Sequence, residues 1–200
     1  MSASASMTDS SANLADILRA AHPLARALIA RVPGGAPVFE IGHGSGRNHR
    51  ALEAAGLEVL HFGADAAPAG GAAGALSTHA LLHGSPAEIA AHLAEIARGL
   101  AIGAAFFATF GSRRDARFGE GSTLGPTTFA PEDGDERGVA HSYYDEAELR
   151  DALQAHYAIE KLREVEVDAI AGGWAHASAP LRGAVHWFVV AHRRNPLLRV

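Results

Sequence analysis

The chain has 200 residues, 48% of them hydrophobic and 20% charged, which suits one compact domain with a full core. A formal net charge of -5, with its 17 Lys and Arg gathered in no stripe, argues against nucleic acid as a partner. The absence of cysteine excludes a disulfide framework and thiolate chemistry, and no apolar run of about 18 residues offers to span a membrane.

Residues 1–10, rich in Ser and Ala, read as a disordered tail without the basic start and apolar core of a secretory signal, so a cytoplasmic location is expected. A single domain is expected over 11–200. Leu14, Ile17, Leu18, Ala21, Leu24, Ala25 and Leu28 recur at helical spacing with a break at Pro23, predicting one kinked helix or two short ones. A turn at Pro33–Pro37 leads to a strand from Val38 to Ile41, then a glycine-rich turn and a helix ending near Gly56. Leu57 to Phe62 reads as a second strand.

Ser85, Pro86 and Glu88 form a capping box with proline at the first helical position. Ile89, Leu93, Ile96 and Leu100 give the helix that follows one apolar face. Ser112 to Ala140 is long, polar and without periodicity, which predicts an active-site lid or a mobile surface loop. Asp145 with Glu148 starts another helix through about Ala155, and strands are predicted near Ile159–Val167 and Ala184–His192.

The most informative stretch is Val38-Phe-Glu-Ile-Gly-His-Gly-Ser-Gly-Arg-Asn48. Its glycines can take positive φ and admit a ligand against bare backbone, and the helix after Gly46 aims free N–H groups at that ligand. Such a turn at the carboxyl end of a parallel strand is where open α/β sheets bind nucleosides. Arg47 spoils the last glycine of the dinucleotide fingerprint, and neither a Walker A loop nor a nucleophile elbow is present. An ordinary tight strand-to-helix connection is the plain alternative.

On these residues the chain resembles the class I S-adenosylmethionine (SAM)-dependent methyltransferases, whose first motif Val38 to Gly46 matches, with Glu40 as its acid. Ala75–Gly84 looks like that family's fourth strand and following turn. Leu100–Phe110 looks like its helix-to-strand passage, His141–Leu149 like the start of a late helix, and Val185–Ala191 like its final strand. The resemblance spans about residues 12 to 194.

It implies a Rossmann-like, doubly wound, mostly parallel α/β sheet that binds SAM and transfers its methyl group to a small molecule, with neither nucleic acid nor a membrane as partner. The implied cofactor-binding residues are Glu40, Gly42, His43, Gly44, Ser45, Gly46, Asn48, Gly63, Asp65 and Thr78. Implied catalytic residues are His79, a general base at the end of the fourth strand, and Tyr143, which with His141 and Tyr144 would close over the substrate. A structural histidine is the competing role for His79. Arg113, Arg114 and Arg117 either hold an anionic substrate or are solvated loop arginines.

Two departures weaken that reading. Gly63 stands where the family places an acid on the ribose hydroxyls; Asp65 replaces it only if the loop bends back. Asp65 to Gly74, mostly Ala and Gly, reach about 33 Å at roughly 3.3 Å per residue, enough to cross between strands but not to form a helix and a strand as well. The sheet is therefore expected in abbreviated form, without its third strand and the preceding helix, its bare flank covered by a second copy of the chain. Two rival readings are a non-catalytic binding or oligomerisation module on the same scaffold and a nicotinamide-dependent oxidoreductase. No metal is expected: His79 and His83 are four apart, but no H-E-x-x-H pattern or third ligand accompanies them.

Overall fold

A computed structural model describes residues 13–167 and 183–197. The tail expected at 1–10 lies outside the described residues, and so does Trp174, expected from its glycine-rich surroundings to sit on a loop. In chain order come helices α1 (Leu14–Ala20) and α2 (Pro23–Ile29), strand β1 (Pro37–Ile41), helix α3 (Arg47–Ala54), and strands β2 (Glu58–His61) and β3 (Ala72–Ser77). A 3-10 turn at Ala80–Leu82 leads to helix α4 (Pro86–Gly99) and the long strand β4 (Leu100–Ser112). Strands β5 (Ser122–Gly125), β6 (Thr128–Ala130) and β7 (His141–Tyr144) precede helix α5 (Glu146–Gln154). Strands β8 (Tyr157–Glu166) and β9 (Val185–Arg193) complete the described elements.

The sheet has β1 between β2 and β3, with β4 beyond β3, and all four strands run parallel. Along Ala105–Gly111, β4 pairs antiparallel with β9, which pairs antiparallel with β8. At Gly111 and Ser112 it also pairs with β7, which carries β6 and β5 as a small antiparallel extension. The fold class is thus the expected mostly parallel α/β sheet.

The strands read as continuous apolar runs because both faces are buried. Val38, Leu76 and Phe107 face α2 and α3, while the residues next to them, Phe39, Ala75 and Phe106, face α4 and α5. Each such buried aromatic or leucine side chain contributes about 1.5–3 kcal/mol over exposure. Phe106 stacks on Tyr157 at 4.1 Å, and the Tyr157 hydroxyl donates to the Leu93 carbonyl at 2.9 Å. The α4 capping box forms as expected: the Glu88 amide donates to Ser85 Oγ at 3.3 Å and the Ser85 amide to Glu88 Oε2 at 2.7 Å.

The abbreviation is confirmed. No strand or helix lies between His61 and Ala72, and β2 is the edge of the sheet. Gly71, at φ 88°, makes the bare crossing feasible: a Cβ there would stand 2.4 Å from the Leu100 carbonyl carbon and the Ala101 amide.

Three expectations need correction. Ser112–Ala140 is not without structure, since β5 and β6 form a hairpin within it. Strands of four and three residues are too short to show a period. His141–Tyr144 does not lead a helix but is buried strand β7; the helix starts only after Asp145. His79 and His83 share no helical face, because His79 sits in the left-handed region at φ 72° before the 3-10 turn and His83 ends that turn in extended conformation. No helix among the described residues is long and apolar enough to cross a membrane.

Candidate active site

The carboxyl ends of β1, β3 and β4 meet at one edge of the sheet. Beyond β1 the chain turns through Gly42, Gly44 and Gly46 at φ 78°, 49° and 71°, a path that side chains resist. At Gly42 a Cβ would also press on the Ala80 methyl at 2.6 Å. Gly42 to Ser45 are exposed, and Gly46 opens α3 without a side-chain cap. The loop therefore presents bare backbone beneath the positive end of a helix, a cradle suited to a carboxylate.

Asn48 and Thr78 lie beside this loop, bound to each other. Asn48 Nδ2 donates to Thr78 Oγ1 at 2.8 Å, and its Oδ1 accepts from the His22 amide at 2.9 Å. Their observed role is to pin α3 to the end of β3 and to the entry of α2. A hollow of about 20 Å³ remains between the loop, Arg47, Asn48, Thr78 and His79, room for about one water.

His79 is buried, and its amide donates to Thr109 Oγ1 on β4 at 2.8 Å. Its ring lies 5.1 Å from that of His186 and 6.0 Å from that of His22. Burial, followed by the positive charge that His186, His22, Arg47 and Arg117 can carry, holds its pKa well below the ordinary histidine value. His79 is thus neutral at pH 7 and able to accept a proton, but weaker as a base than the near-neutral pKa expected from the sequence. Burial likewise lowers His22 to about 3 and His186 to about 4, Asp115 partly opposing the shift at His186.

Behind these rings lies a buried ion pair. Asp115 Oδ1 accepts from Arg117 Nε at 2.9 Å, and its Oδ2 accepts from Arg117 Nη2 at 3.1 Å and from the Val185 amide at 2.9 Å. Burial opposes the carboxylate's charge, but the bonds from Arg117 outweigh it and lower the pKa. Arg117 Nη2 also reaches His186 Nε2 at 3.3 Å. His22, Asp115 and His186 gave no motif in the sequence, because only packing brings them to this edge.

Arg117 and Tyr143 line a larger hollow of about 450 Å³ beneath the β5–β6 hairpin, together with Phe129 and Glu136. Burial raises Tyr143 to about 12, so its hydroxyl stays protonated and can donate but not act as a base at neutral pH. Arg113 and Arg114 do not enter this hollow. Arg113 pairs with Glu148 and Asp145, and Arg114 with Glu164 at 2.6 Å.

At the end of β2, Gly63 is exposed at φ 87°, and the loop does bend back. Asp65 Oδ2 accepts from the His61 amide at 2.7 Å, which returns a carboxylate to the strand end. The exposed loop backbone and the returned carboxylate of Asp65 are chemically compatible with an adenosyl cofactor. The 20 Å³ hollow admits only the tip of a ligand, so the remainder would rest on the exposed side of the loop.

No family model and no curated protein matches the sequence. Solved structures do match the fold. One is the 1,6-didemethyltoxoflavin-N1-methyltransferase of Burkholderia thailandensis, bound to 1,6-didemethyltoxoflavin and S-adenosylhomocysteine (TM-score 0.60, 19% identity, 90% of this chain and 79% of that one). Another is a SAM-dependent methyltransferase from Methanosarcina mazei (TM-score 0.59, 16% identity, 86% and 98%). A third is the S-adenosylmethionine-dependent methyltransferase from Mesorhizobium loti (TM-score 0.53, 17% identity, 84% and 96%). The chain has the fold of the SAM-dependent methyltransferases.

Proposed function

We propose that the chain transfers a methyl group from SAM to a small molecule. The observation that carries this reading is the three-glycine cradle at the end of β1, exposed from Gly42 to Ser45 and set in this fold at the place where open α/β sheets bind nucleosides. When bound, SAM supplies an electrophilic methyl carbon on a sulfonium sulfur, so the protein's share of the work is alignment and exclusion of water. The loop amides and Arg47 receive the amino-acid end, and Asp65 receives the ribose.

The acceptor occupies the 450 Å³ hollow. His79 borders the cradle and Arg117 lines the hollow, while His186 touches both, so one wall of side chains joins the two. Neutral His79 takes the proton that an attacking hydroxyl or amine loses. Five carboxylates, Glu120, Glu132, Asp133, Asp135 and Glu136, face the hollow against Arg117, and Phe129 and Tyr143 offer ring faces. That lining favours an acceptor carrying positive charge.

Titration calorimetry with S-adenosylhomocysteine tests the proposal. One equivalent should bind the wild type and be lost in Gly42→Val, whose side chain collides with Ala80 and blocks the cradle. Absence of heat from S-adenosylhomocysteine would sink the methyltransferase reading; heat from NADH in its place would point to the oxidoreductase.

A further inference from the structure

A second convergence lies on the other side of the glycine loop. Glu40, in β1, is buried with 2% of its side chain exposed. Its Oε2 faces His49 Nδ1 on α3 at 3.0 Å and His43 Nδ1 in the loop at 3.5 Å. His61, the last residue of β2, brings a third ring: the three imidazole centroids lie 5.0–5.2 Å apart, those of His49 and His61 stacked at 4°. One ligand atom from each of the four residues lies within 4.8 Å of all the others.

Hydrogen bonding alone does not account for this set. Glu40 Oε1 is buried with no hydrogen-bond partner, a costly condition for a carboxylate oxygen, while two imidazoles crowd Oε2. A divalent cation at the centre gives the buried carboxylate and the three converging imidazoles a common partner. Zinc at about 2.0–2.1 Å from four ligands sets them roughly 3.3 Å apart, close to the separations around Glu40 Oε2. The outer contact is of the expected kind as well, since His49 Nε2 faces Glu53 Oε1 at 3.4 Å, and a carboxylate there orients a ligating imidazole.

We propose that Glu40, His43, His49 and His61 form a four-coordinate site for a divalent transition metal. Three imidazoles and one carboxylate favour zinc over magnesium or calcium, which take oxygen ligands. The site ties together four pieces of chain: β1, the glycine loop, α3 and the edge strand β2, which pairs with β1 over only four residues. It fastens the edge that no third strand covers and fixes the loop that forms the cradle. The proposal stands independently of the methyltransferase reading.

The test uses the full chain, stripped with a chelator and titrated with Zn²⁺ or Co²⁺. One equivalent should bind, Co²⁺ should show the intense visible absorption of four-coordinate geometry, and Zn²⁺ should raise the unfolding midpoint. His61→Ala and His43→Ala remove side chains that are not buried, so the fold is retained. Each should weaken binding at least about tenfold and abolish the cobalt band. His83→Ala, in the separate cluster of His83, Glu136 and His141, should leave both unchanged. The proposal is overturned by a stripped protein that takes up no equivalent of metal, by a wild-type cobalt spectrum in His61→Ala, or by loss in His83→Ala instead. Binding of S-adenosylhomocysteine, measured on both the stripped and the zinc-loaded chain, reports on the methyltransferase reading, while the metal titration reports on this site.

Discussion

His79 carries a local strain that its neighbours sustain. Among the described residues it is the non-glycine held at positive φ, which costs about 1–2 kcal/mol. The bond from its amide to Thr109 and the rings of His22 and His186 hold it there. These rings also set a pH dependence. His22 and His186 are neutral in the fold, with pKa values of about 3 and 4, and titrate at 6.5 when unfolded. As the pH falls below 6.5, the unfolded chain binds protons that the fold refuses, so stability declines until the folded values are reached; above 6.5 these groups add no slope. Each contributes about 1.4 kcal/mol per pH unit in that window. Urea denaturation at pH 6.5 and 5 should therefore show a loss of about 2 kcal/mol for each of the two residues. His22→Asn, which keeps an N-cap for α2, should remove the share of His22. Equal stability at the two pH values would contradict this account.

Among the elements, the crossing from β2 to β3 is the most constrained. Ten residues, Phe62–Gly71, do the work of a helix and a strand, and they succeed because Gly71 lets the chain pass against the start of β4. Gly71→Ala meets backbone at 2.4 Å in a left-handed conformation, so relief requires movement of the strand itself. A loss of about 2–4 kcal/mol is expected in chemical denaturation. Gly70→Ala, with open space around its Cβ position, meets only the left-handed penalty of about 1 kcal/mol. Similar losses in the two variants would show that close approach to β4 is not what demands glycine at 71.

For the molecule as a whole, the charge around the large hollow is the feature that governs what enters. Of its five carboxylates, Glu120 precedes β5 and the other four follow β6, while Arg117 is already engaged by Asp115. A cationic acceptor should show the higher kcat/KM, and its advantage over a neutral analogue should shrink as ionic strength rises and the screening length falls below about 10 Å. A preference for anionic acceptors that persists in high salt would refute that account of the hollow.

The apolar run that forms β1, the capping boxes at Ser85 and Asp145, and the three glycines after Ile41 are local patterns, legible in the sequence because strand propensity, helix termini and positive φ depend on near neighbours. The shortened crossing was legible for the same reason, since chain length alone bars a helix and a strand from ten residues. The hairpin at 122–130 was not, because its strands are too brief for a period and gain their order from pairing with β7. Nor did spacing reveal the gathering of His22, His79 and His186, or that of Glu40 with His43, His49 and His61. The first three come from elements far apart along the chain, the start of α2, the turn after β3 and β9; the last four, though within residues 40–61, lie on β1, the glycine loop, α3 and β2, so only the packing of these elements brings the rings together.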